Sequence, residues 1–186
     1  MLPSWQQDKR WAGRFIPEMK RIVGEHLIGE APATEDAQHN TDLIVLRLEA
    51  VRVACRVRQY RYFADYPDEF TIRSKRPSDV KTELAKVLEG WGDYLLYAFA
   101  DQSEQHLAAW MLGDLRVFRL WFQRECYRLP AHSMPGLERR NGDGSSTFRA
   151  FSLPDLPTDF VVARHRPTTP IESEVDDLAV WWAPAP

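Results

Sequence analysis

The amino-acid sequence predicts an α/β fold in which a mixed central β-sheet is flanked by helices. Three observations support this prediction. Residues 51–58 alternate between apolar and mostly arginine positions, which is typical of a strand with one buried face. Residues 78–90 carry apolar side chains at helical spacing and end in glycine. Residues 94–99 are apolar at every position, which indicates a strand covered on both faces.

The composition is that of one globular domain with a tail. The chain has 186 residues, of which 44% are hydrophobic and 27% charged, and its formal net charge is −3. We expect residues 1–166 to form a single domain and residues 167–186 to form an acidic, aromatic tail. The mildly acidic total argues against a strongly basic coat for nonspecific nucleic-acid binding, but it leaves room for a local basic surface.

Several features predict a cytoplasmic protein without membrane association. Residues 1–10 are polar and charged, and no apolar run approaches the ~20 residues that span a bilayer. Cys55 and Cys126 form no metal-spaced pair, so we expect both to be buried free thiols in a reducing compartment.

Two helices are expected at the amino terminus. Ser4 and Gln7 fit a capping box for a short helix that ends near Ala12. Proline is favoured at a first helical position, so the main helix should begin near Pro17. Its expected buried stripe consists of Met19, Ile22, Val23 and His26 or Leu27.

Three consecutive strands should follow a polar loop at residues 29–40. Asp42 enters the first strand, which continues through residues 43–46. The second strand, residues 51–58, has valine or cysteine at its odd positions. Its even positions hold Ala54 and the three arginines Arg52, Arg56 and Arg58. Because strand side chains alternate between faces, an arginine row should back an apolar sheet face.

The third predicted strand, residues 69–74, is followed by a helix. Its two faces should carry Glu69, Thr71 and Arg73 on one side and Phe70 and Ile72 on the other. Ser78 fits an N-cap, with Asp79 in the first helical turn. The buried stripe of this helix is expected to be Val80, Leu84, Val87 and Leu88, and Gly90 should end it.

The remaining elements are a hairpin, a helix and two short strands. The hairpin should join residues 94–100 to 106–112, and Gly113 and Asp114 should cap a helix from Leu115 to about Tyr127. The helix is expected to pack on the sheet through Val117, Phe118, Leu120, Trp121 and Phe122. Residues 129–146 are predicted to be a loop, and residues 147–153 and 160–164 to be strands that extend the sheet edge.

The order of these elements over Pro17–Tyr127 resembles the core of the PD-(D/E)xK nuclease superfamily, in the version of Holliday-junction resolvases and phage DNA-processing proteins. The resemblance rests on this order, on Asp42 at a strand start and on the basic residues of the next strand. The runs that look like those of phage-type members are residues 40–43, 54–58, 69–73 and 82–86. The resemblance implies a restriction-endonuclease-like core and Mg²⁺-dependent hydrolysis of duplex or branched DNA.

The resemblance also implies roles for particular residues. Asp42 would be the metal-binding aspartate, supplemented by Glu25 of the first helix, with Asp36 behind it. The acid-x-Lys element should lie on residues 51–58, yet that segment contains no carboxylate, and arginine stands where lysine is expected. Arginine clamps phosphate well but is a poor proton acceptor.

Two interpretations of this departure stay open. In the first, the acid has moved to Glu69, or to Glu83 with Lys86. Mg²⁺ would then be held by Asp42, Glu25 and Glu69, and the scissile phosphate by Arg56 and Arg58. In the second, the site is inactive and the protein is a phage-type interaction or inhibitor protein. Its arginine face would bind nucleic acid or an acidic protein surface, and Trp181 and Trp182 would dock a protein partner.

Plainer explanations exist for the same residues. Asp42 also fits a turn before its strand, and the arginines also fit a solvated sheet face paired with Glu49 and Glu69. Glu83 and Lys86 are spaced as a surface ion pair on a helix. The tail also fits a segment that is flexible or packs on its own domain, and the sequence leaves open whether the protein forms a homodimer.

Overall fold

A computed structural model of the chain describes residues 4–30, 43–45, 51–77, 80–142, 144 and 146–167. Several residues named above lie outside this part of the chain, namely Asp36, Asp42, Glu49, Ser78, Asp79, Trp181 and Trp182.

Five α-helices and nine β-strands lie within the described residues. The helices are α1 (Ser4–Gly13), α2 (Ile16–Leu27), α3 (Arg61–Asp65), α4 (Glu83–Leu88) and α5 (Leu115–Arg128). The strands are β1 (Ile28–Glu30), β2 (Leu43–Val45), β3 (Val53–Arg58), β4 (Glu69–Lys75), β5 (Tyr94–Ala100), β6 (Leu107–Asp114), β7 (Leu137–Arg140), β8 (Thr147–Ser152) and β9 (Val161–His165). None of the helices in this part of the chain is long and apolar enough to cross a bilayer.

The predicted mixed sheet flanked by helices is confirmed. The central sheet has the strand order β3-β5-β6-β9, in which β3 runs parallel to β5 and the other neighbours are antiparallel. Strand β4 does not join it, because β4 pairs instead with β8 in an antiparallel sheet of order β4-β8-β7. Strand β9 extends the edge of the central sheet as expected, whereas β8 is the middle strand of this second sheet.

Both faces of the central sheet are covered, which explains the uninterrupted apolar run in β5. Leu96 and Ala98 pack on one face against α1 and α2, through residues such as Phe15 and Ile22. On the other face, Leu95, Tyr97 and Phe99 pack against the second sheet, α4 and α5. This second core contains a group of stacked or edge-on aromatic rings, namely Phe70, Phe118, Phe151 and Phe160.

Two helices differ in detail from their predictions. Helix α4 begins later than expected, because Thr82 caps it by accepting a hydrogen bond from the Ala85 amide at 3.2 Å. Val80 therefore precedes the helix and is 57% exposed. Helix α5 begins after Asp114 as predicted, but Leu120 faces away from the core and is 70% exposed.

The segment predicted to be a loop at residues 129–146 contains strand β7. The Arg149 guanidinium on β8 anchors it by donating to the carbonyls of Met134, Pro135 and Gly136 at 2.8, 3.0 and 2.7 Å. Gly136 has a φ of +80°, and a Cβ there would lie 2.7 Å from the Phe151 ring. These long-range contacts form the strand where local composition indicates a loop.

Candidate nucleic-acid interface

Strand β3 places Arg56 and Arg58 at one edge of the central sheet. Val57 is buried against the layer of α1 and α2, while Arg56 and Arg58 are in register with Tyr97 and Phe99 of β5. Cys55, predicted to be buried, is exposed because β3 is an outer strand of the central sheet within the described part of the chain.

A cleft of about 610 Å³ runs along β3, and we call it the arginine cleft. Four of its lining residues are the arginines Arg56, Arg58, Arg61 and Arg73, which come from β3, α3 and β4. Asp8 and Trp11 of α1 form part of its wall, together with Asn141. Helix, strand and loop segments that are far apart in the sequence therefore meet around one basic cleft.

A smaller pocket of about 160 Å³ adjoins the arginine cleft and shares Arg58 and Tyr62 with it. We call it the tyrosine pocket. Its lining consists of Arg58, Tyr62, Tyr66, Glu69, Thr71, Tyr97, Phe99, Arg139, Arg140 and Phe148. Strands β4 and β7 of the second sheet thus face β3 and β5 of the central sheet across one continuous depression.

Three of the four cleft arginines have guanidinium groups without an ion-pair partner in the part of the chain that the structure describes. Arg56 is ion-paired with Glu83, whose carboxylate lies 2.9 Å from the Arg56 guanidinium. Among the described residues, no carboxylate forms an ion pair with the guanidinium of Arg58, Arg61 or Arg73, although Glu83 also accepts a hydrogen bond from the Arg73 amide at 3.4 Å. Positive charge without an internal counterion is what an anionic ligand needs.

Arg58 is held against an aromatic ring. Its guanidinium carbon lies 4.1 Å from the centroid of Tyr62, and that of Arg61 lies 4.9 Å from the same centroid. Burial lowers the pKa of Arg58 from its usual value, and the neighbouring cations Arg56 and Arg61 act in the same direction. Arginine stays protonated despite such a shift, so a bound anion would relieve this electrostatic cost.

The structure separates Glu25 from Glu69, two of the three carboxylates that were predicted to hold a metal. Glu25 is exposed on α2, pairs with Arg21, and belongs to the helical layer on the face of the central sheet opposite Tyr97 and Phe99. Glu69 pairs with Arg139 at 3.2 Å, and Glu83 pairs with Arg56 rather than with Lys86. Within the described residues, no group of three metal-ligating side chains is assembled. Asp42, the central residue of that prediction, lies outside them.

Several lining residues were missed from the sequence. Tyr62, Tyr66 and Arg61 lie in a stretch where arginine and tyrosine interleave, and that pattern was a usable signal for a basic aromatic surface. Arg139 and Arg140 carried no such signal, because their segment was predicted to be a loop. Arg52, in contrast, lies outside the cleft, with its guanidinium 5.8 Å from the ring centroid of Trp91.

The arrangement is chemically suited to bind a phosphate backbone beside stacked rings. Guanidinium groups bind phosphate oxygens through paired hydrogen bonds, and tyrosine rings offer faces on which unpaired bases stack.

Comparisons of the chain with protein-family models, with curated proteins and with solved structures yield no match.

Proposed function

We propose that this protein binds DNA and that the arginine cleft holds the phosphate backbone. The observation that carries the proposal is the set of three arginines, Arg58, Arg61 and Arg73, whose guanidinium groups have no ion-pair partner in the described part of the chain and which line one cleft. The lining contains one carboxylate, Asp8, so bound phosphate oxygens would supply the remaining counter-charge. The net charge of −3 is consistent with DNA binding at one local basic surface rather than over the whole protein surface.

Salt dependence of binding tests the proposal. Each arginine that neutralises a phosphate releases counterions, so three contacts contribute about 2 to 3 to the slope of log Kobs against log salt. We expect the triple variant Arg58→Ala/Arg61→Ala/Arg73→Ala to bind fluorescently labelled DNA more weakly and with a slope reduced by that amount. Fluorescence anisotropy between about 50 and 200 mM NaCl measures both quantities.

A matched control uses three exposed arginines outside the cleft, Arg21, Arg124 and Arg128, which change the net charge equally. Their triple alanine variant should keep most of the wild-type affinity and slope. If the two triple variants lose affinity to the same extent, the cleft is not the DNA-binding surface.

A second candidate function is Mg²⁺-dependent hydrolysis of the bound DNA, as the resemblance to PD-(D/E)xK nucleases implies. The position of Glu83 supports this second candidate, because its carboxylate lies 2.9 Å from the guanidinium of Arg56, a residue proposed to bind phosphate. If Mg²⁺ binds, Asp42 and Glu69 are the residues proposed to hold it, and the ion would supply an activated water and charge neutralisation at the phosphate.

The test compares wild type with Asp42→Ala on branched and duplex DNA, with Mg²⁺, with Mn²⁺ and with chelator. Cleavage that needs metal and disappears in Asp42→Ala supports the nuclease. Equal cleavage by both proteins removes Asp42 from the mechanism. Binding without cleavage under every condition favours the non-catalytic interaction protein, for which deletion of residues 167–186 tests whether Trp181 and Trp182 capture a partner.

A further inference from the structure

The tyrosine pocket has flat aromatic walls and lies beside the arginine cleft. Tyr62, Tyr66 and Phe148 contribute rings to its lining. Its volume of about 160 Å³ is well above the ~10–15 Å³ that one water needs, so it has room for a ligand of several non-hydrogen atoms. A strand whose phosphates lie in the arginine cleft would carry its bases past this pocket, because the two cavities share Arg58 and Tyr62.

The pocket ends on two buried hydroxyl groups. The hydroxyls of Thr71 and Tyr97 hydrogen-bond each other at 3.1 Å, and both residues are buried. One hydroxyl donates and the other accepts, so each oxygen already has a hydrogen-bond partner. The charged groups of the lining offer stronger hydrogen bonds to a ligand.

The charged groups of the lining are one acceptor, the Glu69 carboxylate, and the guanidinium donors of Arg58, Arg139 and Arg140. The Arg139 guanidinium donates to Oε1 of Glu69 at 3.3 Å and is ion-paired with Oε2 at 3.2 Å, and Oε2 is buried. Each oxygen of an ionised carboxylate accepts about two hydrogen bonds, so Oε1 can accept from a further donor. The guanidinium of Arg139 also lies over Tyr66, with 4.6 Å between its carbon and the ring centroid.

We propose that the tyrosine pocket takes an unpaired guanine base from single-stranded DNA held in the arginine cleft. The inference rests on the proposed DNA binding and adds the substrate class. The adjacent N1–H and N2–H groups of guanine would both donate to Oε1 of Glu69, O6 would accept from Arg139 or Arg140, and the ring would stack on tyrosine. Guanine is favoured because it alone among the DNA bases presents two adjacent N–H donors to one carboxylate.

A second phosphate is a poor occupant of the same pocket. It would lie next to the negative charge of Glu69, and like charges repel strongly in a partly desolvated site. In the arginine cleft, four arginines outnumber the one lining carboxylate, Asp8. The geometry therefore assigns the phosphates to the cleft and a base to the pocket.

The experiment measures anisotropy with labelled oligothymidine that carries one central guanine, inosine, adenine or abasic site. Inosine lacks the N2 amino group and so tests one donor directly. The proteins are wild type, Glu69→Gln, and Glu138→Gln as a matched control on β7, where Glu138 pairs with Lys75 outside the pocket. Thermal melting of each protein checks that the variants are folded.

We expect wild type to bind the guanine oligonucleotide about tenfold more tightly than the inosine and adenine ones, the size of a good bidentate contact. Glu69→Gln should lose this preference but keep its affinity for the abasic oligonucleotide, and Glu138→Gln should behave as wild type. Binding without base preference, or an equal loss on all four oligonucleotides in Glu69→Gln, overturns the guanine pocket and leaves DNA binding standing. Failure of wild type to bind any of these oligonucleotides overturns the guanine pocket, and it overturns DNA binding as well if duplex DNA is not bound either.

Discussion

The Thr71 hydroxyl lies 3.1 Å from the Tyr97 hydroxyl, in a buried hydrogen bond that joins the second sheet to the central one. Thr71 is on β4 and Tyr97 on β5, and no backbone pairing connects these two strands. Arg73 is two residues along β4, and Arg56 is in register with Tyr97. The bond therefore helps to set the distance between the two walls of the arginine cleft.

Removal of both hydroxyls should destabilise the protein by less than the sum of the two single removals. Tyr97→Phe alone leaves the Thr71 hydroxyl without its partner, and Thr71→Val alone does the same to the Tyr97 hydroxyl. Each change should lower the free energy of unfolding by about 1–3 kcal/mol. The double variant should cost less than the sum of the single changes. Urea denaturation of the four proteins measures this coupling, and strictly additive losses would show that the bond contributes nothing.

Two glycine-to-alanine changes should have opposite effects. A Cβ at Gly113 on β6 would lie 2.5 Å from the fully buried ring of Phe160, so Gly113→Ala should destabilise by about 1–3 kcal/mol. A Cβ at Gly24 in the middle of α2 meets nothing within 4 Å, so Gly24→Ala should stabilise by about 0.5–1 kcal/mol.

Thermal denaturation of both variants gives the sign of each effect. Phe160→Leu in the Gly113→Ala background should recover part of the loss, because a smaller side chain makes room for the methyl group. Equal melting temperatures for Gly113→Ala and wild type would show that the ring moves away without cost.

The charge of Asp114 should stabilise the protein at neutral pH and lose this effect in acid. Burial opposes ionisation, but the Arg116 amide and guanidinium donate to its carboxylate at 2.7 and 2.6 Å, and together they hold the pKa of Asp114 below its usual value. A carboxyl whose pKa is depressed on folding stabilises above its unfolded pKa, which is about 3.9, and ceases to do so as pH falls through the lower folded value.

Asp114→Asn isolates this charge, since asparagine also caps helices well. The variant should be less stable than wild type by about 0.5–1 kcal/mol at pH 7, and the difference should shrink below about pH 4. Urea denaturation from neutral pH into acid measures it. Asp159→Asn, at an exposed aspartate, is the control, and a difference that stays constant with pH would argue against the role of the charge.

Glu83→Gln should increase DNA affinity if the cleft binds phosphate. The change removes a negative charge and releases Arg56, whose pairing with Glu83 is worth roughly 0.5–1 kcal/mol, which corresponds to about a two- to fivefold tighter complex. Glu89→Gln alters the net charge equally just after the same helix, where Glu89 pairs with Lys81 instead. An equal gain in both variants would indicate a general charge effect and not the release of Arg56.

The amino-acid sequence by itself determined the local elements of this protein. The apolar run at residues 94–99 predicted a strand with both faces covered, and β5 is that strand. Asp114 predicted the start of α5, because an aspartate before an apolar helical pattern caps it within the same segment. The polar turn after β5 likewise predicted its hairpin with β6. Each of these features depends on residues close together in the chain.

Only the tertiary structure decided how the site is assembled. Glu69 pairs with Arg139, 70 positions away, and β4 pairs with β8 in a second sheet. Alternation along a strand shows which residues share a face, but not which strand lies beside it or what covers that face. The exposure of Cys55 could not be predicted either, because it depends on which segments pack against β3. Strand pairing and side-chain partners across the cleft are set by packing of distant segments, and that packing places the arginines and the tyrosine pocket side by side.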